Sequence, residues 1–328
     1  MYKINKLYNC GIFQGAGMHK YYFEGWYFKN VDKEEQNVIS VIPGVSIEEN
    51  KEKSHAFIQI LDGRTYKTYY IPYNIKEFSF SKESFEFTIG NNHFSHSGIE
   101  LNIVTEDIVL RGRLKYSNPL HWPTGITSPN SMGWYAYIPI MECYHGVLSL
   151  QHNILGQIKL NDRMINFDGG MGYIEKDWGT SFPSSWVWLQ SNHFERENIS
   201  LMLSIAKIPW KQRSFLGLIS GLWYDHKLYR FATYTGSKID YLEFKDEETR
   251  IKISDRNYNL FIEAKPGNSG SLKAPQKGAM TGSVMESISG VMSVKLSDKR
   301  RDRIILETKA RCCGMEMAGS IYDLLTLP

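Results

Sequence analysis

Short alternating runs of apolar and polar residues cover most of this chain. They occupy positions 38–42, 56–61, 85–89, 108–114, 201–205, 290–296 and 303–309, and β-branched and aromatic residues dominate them. A period of two sends successive side chains to opposite faces, as half-buried strands require, and helical spacing is scarce. Turn-forming residues punctuate the runs at Asp62-Gly63, Gly90-Asn91-Asn92, Asn161-Asp162, Asp225-His226 and Pro266-Gly267-Asn268. Many short strands with frequent turns predict an all-β protein built from antiparallel barrels or sandwiches. Two aromatic runs, Glu24-Gly25-Trp26-Tyr27-Phe28 and Trp186-Val187-Trp188-Leu189-Gln190, each open a series of strands, which hints at an internal repeat. Gly179-Thr180-Ser181-Phe182-Pro183 lies between them and sets the expected domains at residues 1–182 and 183–328. Residues 117–131 are rich in Pro, Ser, Thr, Asn and Gly and read as a long loop of the kind that carries function.

Composition narrows the class. With 42% hydrophobic and 22% charged residues over 328 positions, the chain is globular and long enough to bury a large core. A net charge of +3 gives no support to a nucleic-acid partner. Aromatics at 13% favour strands or an aromatic-lined cavity. Cys10, Cys143, Cys312 and Cys313 form no C-x-x-C pair and read as free thiols of a reducing compartment. The first residues carry no apolar leader, and the most apolar window, residues 215–223, is too short to span a bilayer, so a cytoplasmic location is expected.

The candidate chemistry lies where carboxylates sit beside tryptophans. In Tyr173-Ile174-Glu175-Lys176-Asp177-Trp178-Gly179, Glu175 and Asp177 are two apart and share a strand face. Two carboxyls on one face push at least one toward its protonated form, the state a general acid needs. Glu24 is a second candidate acid, sharing a face with Trp26 and Phe28. Both have a structural alternative: Lys176 or nearby arginines neutralise the first pair, and an Arg or backbone N–H holds Glu24. Trp26, Trp178, Trp186 and Trp188 are candidates for steadying a cation, with core packing as the competing role. Gln190 and Asn192 continue the Trp186–Trp188 face and would give a pocket a polar end. His93-Phe94-Ser95-His96 lacks further ligands and puts its histidines on opposite faces, so no metal site is expected. His145 and His152 read as satisfied or exposed histidines. Lys299-Arg300-Arg301-Asp302-Arg303 reads as a solvated hairpin turn, compatible with a peripheral contact to anionic lipid.

With these residues assembled, the chain resembles the tocopherol cyclase family. The resemblance rests on Phe23-Glu24-Gly25-Trp26-Tyr27-Phe28, on Glu175-Lys176-Asp177-Trp178-Gly179 through Phe182-Pro183, Trp186, Trp188, Gln190, Asn192 and Phe194, and more weakly on Leu272-Lys273-Ala274-Pro275 and Ile305-Leu306-Glu307-Thr308-Lys309. It implies two lipocalin-like β-domains with a ligand cavity and a hydrophobic prenylated aromatic or isoprenoid as partner. The implied reaction is cofactor-free cyclisation of a prenylated quinol to a chromanol. The plant pattern carries Asn where this chain has Asp177, together with a transit peptide and a longer insertion in the first half, so fold and cavity could be shared while the substrate differs. A hydratase or isomerase using the same protonation, and a carrier doing no chemistry, are the rival readings.

Overall fold

The computed structural model describes residues 6–245 and 247–325. Backbone contacts divide the chain into two compact units, Met1–Phe182 with Leu272–Ser283, and Pro183–Ser271 with Val284–Pro328.

The first unit holds β1 (Tyr22–Val31), β2 (Val38–Ile47), β3 (His55–Asp62), β4 (Thr68–Asn74), β5 (Phe78–Phe80), β6 (Glu86–Ile89), β7 (Asn92–Ser95), β8 (Gly98–Val104), β9 (Val109–Ser117), β10 (Cys143–Leu160), β11 (Arg163–Asn166) and β12 (Gly170–Gly179). They form one sheet in the order β4-β3-β2-β1-β12-β10-β9-β8-β7-β6-β5, with β11 on β10. The alternation read from the sequence aims Trp26, Phe28, Val41, Ile58, Phe87, Phe94, Leu114, Ile154 and Ile174 into a single core, so the sheet wraps around it. Segment 272–283 is tied into this unit by polar contacts. The Gln59 amide accepts from Lys273 N at 2.8 Å and donates to Lys273 O at 3.1 Å. Ser46 Oγ donates to Gly278 O at 2.7 Å.

The second unit contributes β13 (Trp186–Ser191), β14 (His193–Phe194), β15 (Ser200–Trp210), β16 (Arg213–Tyr224), β17 (Lys227–Ala232), β18 (Lys238–Lys245), β19 (Glu248–Ser254) and β20 (Tyr258–Lys265). It also takes in the start of β21 (Ser269–Gln276), most of β22 (Ala279–Asp298) and all of β23 (Arg303–Ala318). The sheet order is β17-β16-β15-β13-β23-β22-β20-β19-β18, around a core of its own that includes Val187, Leu189, Leu203, Phe231, Ile262, Val294 and Met315.

The two sheets share one plan. In each, the first strand lies between an early strand and the last long strand: β1 between β2 and β12, and β13 between β15 and β23. This is the structural content of the repeat hinted at by the two aromatic runs. The Asp225-His226 turn joins β16 to β17 with both residues at positive φ, 50° and 59°, as a tight two-residue hairpin requires. The basic run starting at Lys299 is the turn between β22 and β23. All four cysteines are free thiols.

Candidate active site

Pairing of β1 with β12 sets Glu24 opposite Trp178 and Trp26 opposite Lys176 on the core face. Glu24 is fully buried, and three donors besides Lys176 address its carboxylate. Gln14 N lies 2.9 Å from each of its oxygens, Gly15 N donates at 3.0 Å, and the Tyr22 hydroxyl donates as well. The Lys176 ammonium completes the set as an ion pair with both partners out of solvent. Its other hydrogens go to Cys10 O at 2.7 Å and Ile12 O at 2.8 Å. The same ammonium stands 4.7 Å from the Trp26 ring centre and 4.9 Å from that of Trp178. Burial lowers the Lys176 pKa more than Glu24 raises it. The expected environment for Glu24, a poised acid facing free indoles, is therefore replaced by a saturated ion pair. The indole faces steady a lysine, and Phe28 packs in the core at 5.8 Å from Phe94. This knot clamps the N-terminal segment onto the sheet. Gly146, paired with Lys176, leaves the room: a Cβ there would sit 2.7 Å from Cys10 Sγ.

The opposite face of the same strands is different. Odd positions of β12 carry Tyr173, Glu175 and Asp177, and β10 sets His145 directly across from Asp177. His145 Nδ1 lies 3.0 Å from Asp177 Oδ1, and its Nε2 lies 3.7 Å from Glu175 Oε2. The Tyr173 hydroxyl donates to Glu175, and burial, followed by the Glu175 charge, pushes the Tyr173 phenol well above its usual range. It is a permanent donor at any working pH. Tyr27 is the register partner of Glu175, and its hydroxyl accepts from Ser40 Oγ at 2.9 Å. Cys143 shares this stretch of β10, and burial together with Asp177 and Glu142 holds its thiol protonated.

The His145 end of β10 is fixed from outside the sheet. Ser131 Oγ donates to His145 O at 3.0 Å and accepts from Val147 N at 3.3 Å, while Met132 Sδ accepts from His145 N at 3.2 Å. Ser131 ends the long loop foreseen at 117–131, and Met132 follows it directly. Two register shifts follow in β10, between Val147 and Ser149 and between Ser149 and His152. Such bulges re-aim side chains without ending the pairing. Beyond them His152 has crossed to the core face, its ring 4.2 Å from that of Tyr116.

The arrangement has a plain chemical capability. An imidazole with one nitrogen toward each of two carboxylates can take a proton at one and release it at the other. His145, Glu175 and Asp177 also each offer one ligand atom, and these atoms lie within 4.8 Å of one another, so the trio has the donor set of an open three-ligand metal centre.

The remaining sequence candidates lie in the second unit. Trp186, Trp188 and Gln190 share the face of β13 that points away from the Val187–Leu189 core, and Asn192 follows the strand's end. Trp188, Gln190 and Asn192 are buried. Trp186 Nε1 donates to Glu316 Oε2 at 2.8 Å, and β23 places Glu316 opposite both Trp188 and Glu286. Sequence reasoning read His145 as a satisfied or exposed histidine and did not single out Tyr173, Glu286 or Glu316. Tyr173 could have been found by extending the Glu175–Asp177 period one step back. His145 is 32 residues from Asp177, and nothing local marks it.

Comparison with known proteins bears on the family and the fold. The family model described as tocopherol cyclase-like matches residues 113–319, which include His145, Glu175, Asp177 and the Trp186–Asn192 segment. A probable chloroplastic tocopherol cyclase of Oryza sativa subsp. japonica is 24% identical over 224 residues, 64% of this chain, and the match spans 47% of that relative's length. CghA with Sch210972 superposes with a TM-score of 0.58 at 9% identity, covering 91% of this chain and 89% of the other. Kievitone hydratase from Nectria haematococca superposes with a TM-score of 0.51 at 10% identity, covering 92% and 90%. The two structures bear on the fold alone, which is the lipocalin-like all-β architecture expected. The chain belongs to the tocopherol cyclase-like family.

Proposed function

We propose that the protein is a cofactor-independent cyclase acting on a prenylated quinol or a related isoprenoid, with Glu175 as its acid. A protonated Glu175 transfers its proton to a trisubstituted alkene and leaves a tertiary cation. A phenol oxygen of the same molecule attacks that cation, and the phenol proton returns to the carboxylate through His145 and Asp177. One C–H and one C–O bond form, the O–H bond and the alkene π bond are consumed, and the proton count closes without an oxidant or reductant. The observation that carries this reading is the His145 imidazole between two carboxyls on one sheet face. Glu175 is buried, the Tyr173 hydroxyl orients it, and a dry site keeps water from capturing the cation.

The test compares Glu175→Gln with Glu24→Gln on a prenylated benzoquinol, with products read by mass spectrometry. Loss of one general acid lowers turnover by roughly 10²–10⁴-fold. Glu175→Gln shows that loss while still binding the quinol. Glu24→Gln loses stability and keeps its turnover per folded molecule. A product of unchanged mass is the chromanol. A product heavier by one water replaces cyclisation with hydration, and bound quinol with no product at all leaves a carrier.

A further inference from the structure

Residues 116–141 contain no Lys, Arg, Asp or Glu, although the chain as a whole is 22% charged. Their inner part, Ser128 to Gly133, is buried and holds His145 through Ser131 and Met132. Their outer part is exposed and apolar: Ile126 is 83% exposed, Ile140 68%, Tyr137 44% and Trp134 43%. Three of the exposed groups, Tyr8, Ile126 and Tyr137, meet. The Tyr137 hydroxyl donates to Ile126 O, and Tyr8 meets the same hydroxyl at 3.2 Å. Trp134 stacks on Tyr135 at 4.0 Å.

From these observations we infer that this loop is a bilayer-docking element, which inserts Ile126, Ile140 and the rim aromatics into the lipid interface beside the His145 site. Apolar side chains this exposed on a soluble surface mark an interaction site. Tryptophan and tyrosine beside aliphatics suit the boundary between headgroups and acyl chains. Several backbone groups of the tip are paired within the loop: Gly125 N donates to Ser128 O at 2.8 Å, Ser128 N to Gly125 O at 3.0 Å, and Ile138 N to Tyr135 O at 3.0 Å. Entry into a water-poor layer leaves those backbone groups paired. The N-terminal segment reaches the tip through Tyr8 and has no acidic residue before Glu24; of its lysines, Lys20 is exposed and stands 3.9 Å from Glu49, so the segment sets no carboxylate of its own against an anionic headgroup. A substrate dissolved in the bilayer would then enter beside Ser131 and Met132. That delivery role rests on the proposed function, whereas docking itself does not.

The experiment is vesicle flotation of the full chain with phosphatidylcholine alone and with added phosphatidylglycerol. The wild type floats, more completely with the anionic lipid. Ile126→Glu/Ile140→Glu lowers the bound fraction by at least about tenfold, and the milder Ile126→Ser/Ile140→Ser falls between the two. Glu175→Gln floats as the wild type does, and the Ile126/Ile140 variants turn over a detergent-dispersed quinol normally, which separates docking from chemistry. Wild-type protein that stays with neither vesicle overturns the proposal. So does a wild-type dimer that the Ile126/Ile140 changes dissociate, because the patch would then be an interface between two copies of the chain.

Discussion

Replacing Lys176 by Met tests the clamp beneath the site. The substitution keeps the bulk of the side chain and removes the ammonium, so Glu24 stays buried without its cation, and Cys10 O and Ile12 O lose their donor. Breaking a buried ion pair from one side costs about 3–5 kcal/mol, because the remaining charge is uncompensated. The two carbonyls and the two indole contacts add to this, though not independently. A domain has only about 5–15 kcal/mol of stability in total, so the first unit should be close to unfolding. The pair itself adds little over apolar packing, since burial disfavours the Lys176 charge more than Glu24 favours it. Glu24→Gln/Lys176→Met should therefore be more stable than Lys176→Met alone by about 2 kcal/mol or more, as Gln keeps an oxygen for the Gln14 and Gly15 amides. Urea unfolding followed by tryptophan fluorescence and by near-UV circular dichroism measures both variants, using two probes because a two-unit chain need not unfold in one step. The reasoning is wrong if Lys176→Met costs under about 1 kcal/mol, or if the double variant is as unstable as the sum of the singles.

Two further expectations concern protons and metal ions. Burial lowers the His152 pKa from 6.5 to about 3. Its contribution to stability is therefore complete above the unfolded value and is lost as pH falls toward the folded one. Between pH 7 and pH 5 the loss is about 2 kcal/mol, and His152→Gln should flatten that part of the stability curve; an unchanged slope would remove His152 as the cause. Zinc should bind the His145–Glu175–Asp177 trio and inhibit turnover by tying up the acid, with EDTA restoring activity and His145→Ala abolishing the zinc effect. Loss of activity with EDTA alone would instead make a metal part of the reaction.

Much of the fold follows from alternation and turn chemistry, because a period of two has one structural meaning. The run at 38–42 lies in β2, the run at 56–61 lies in β3, and the basic run from Lys299 is a hairpin turn. The same period placed Glu175 with Asp177 and Glu24 with Trp26. It could not say which of these faces holds the core. β1 and β12 are buried on nearly every residue, so neither face carries the polar signature of a solvent side. Pairing across the sheet decided the rest. Closure of β1 onto β12 brought Glu24 to Lys176 and filled the space between Trp26 and Trp178 with an ammonium. The β10–β12 register delivered His145 to Asp177 across 32 residues of sequence. Local sequence dictates the direction of each side chain along its own strand, but the identity of its neighbours depends on contacts between distant segments, which only the folded chain supplies.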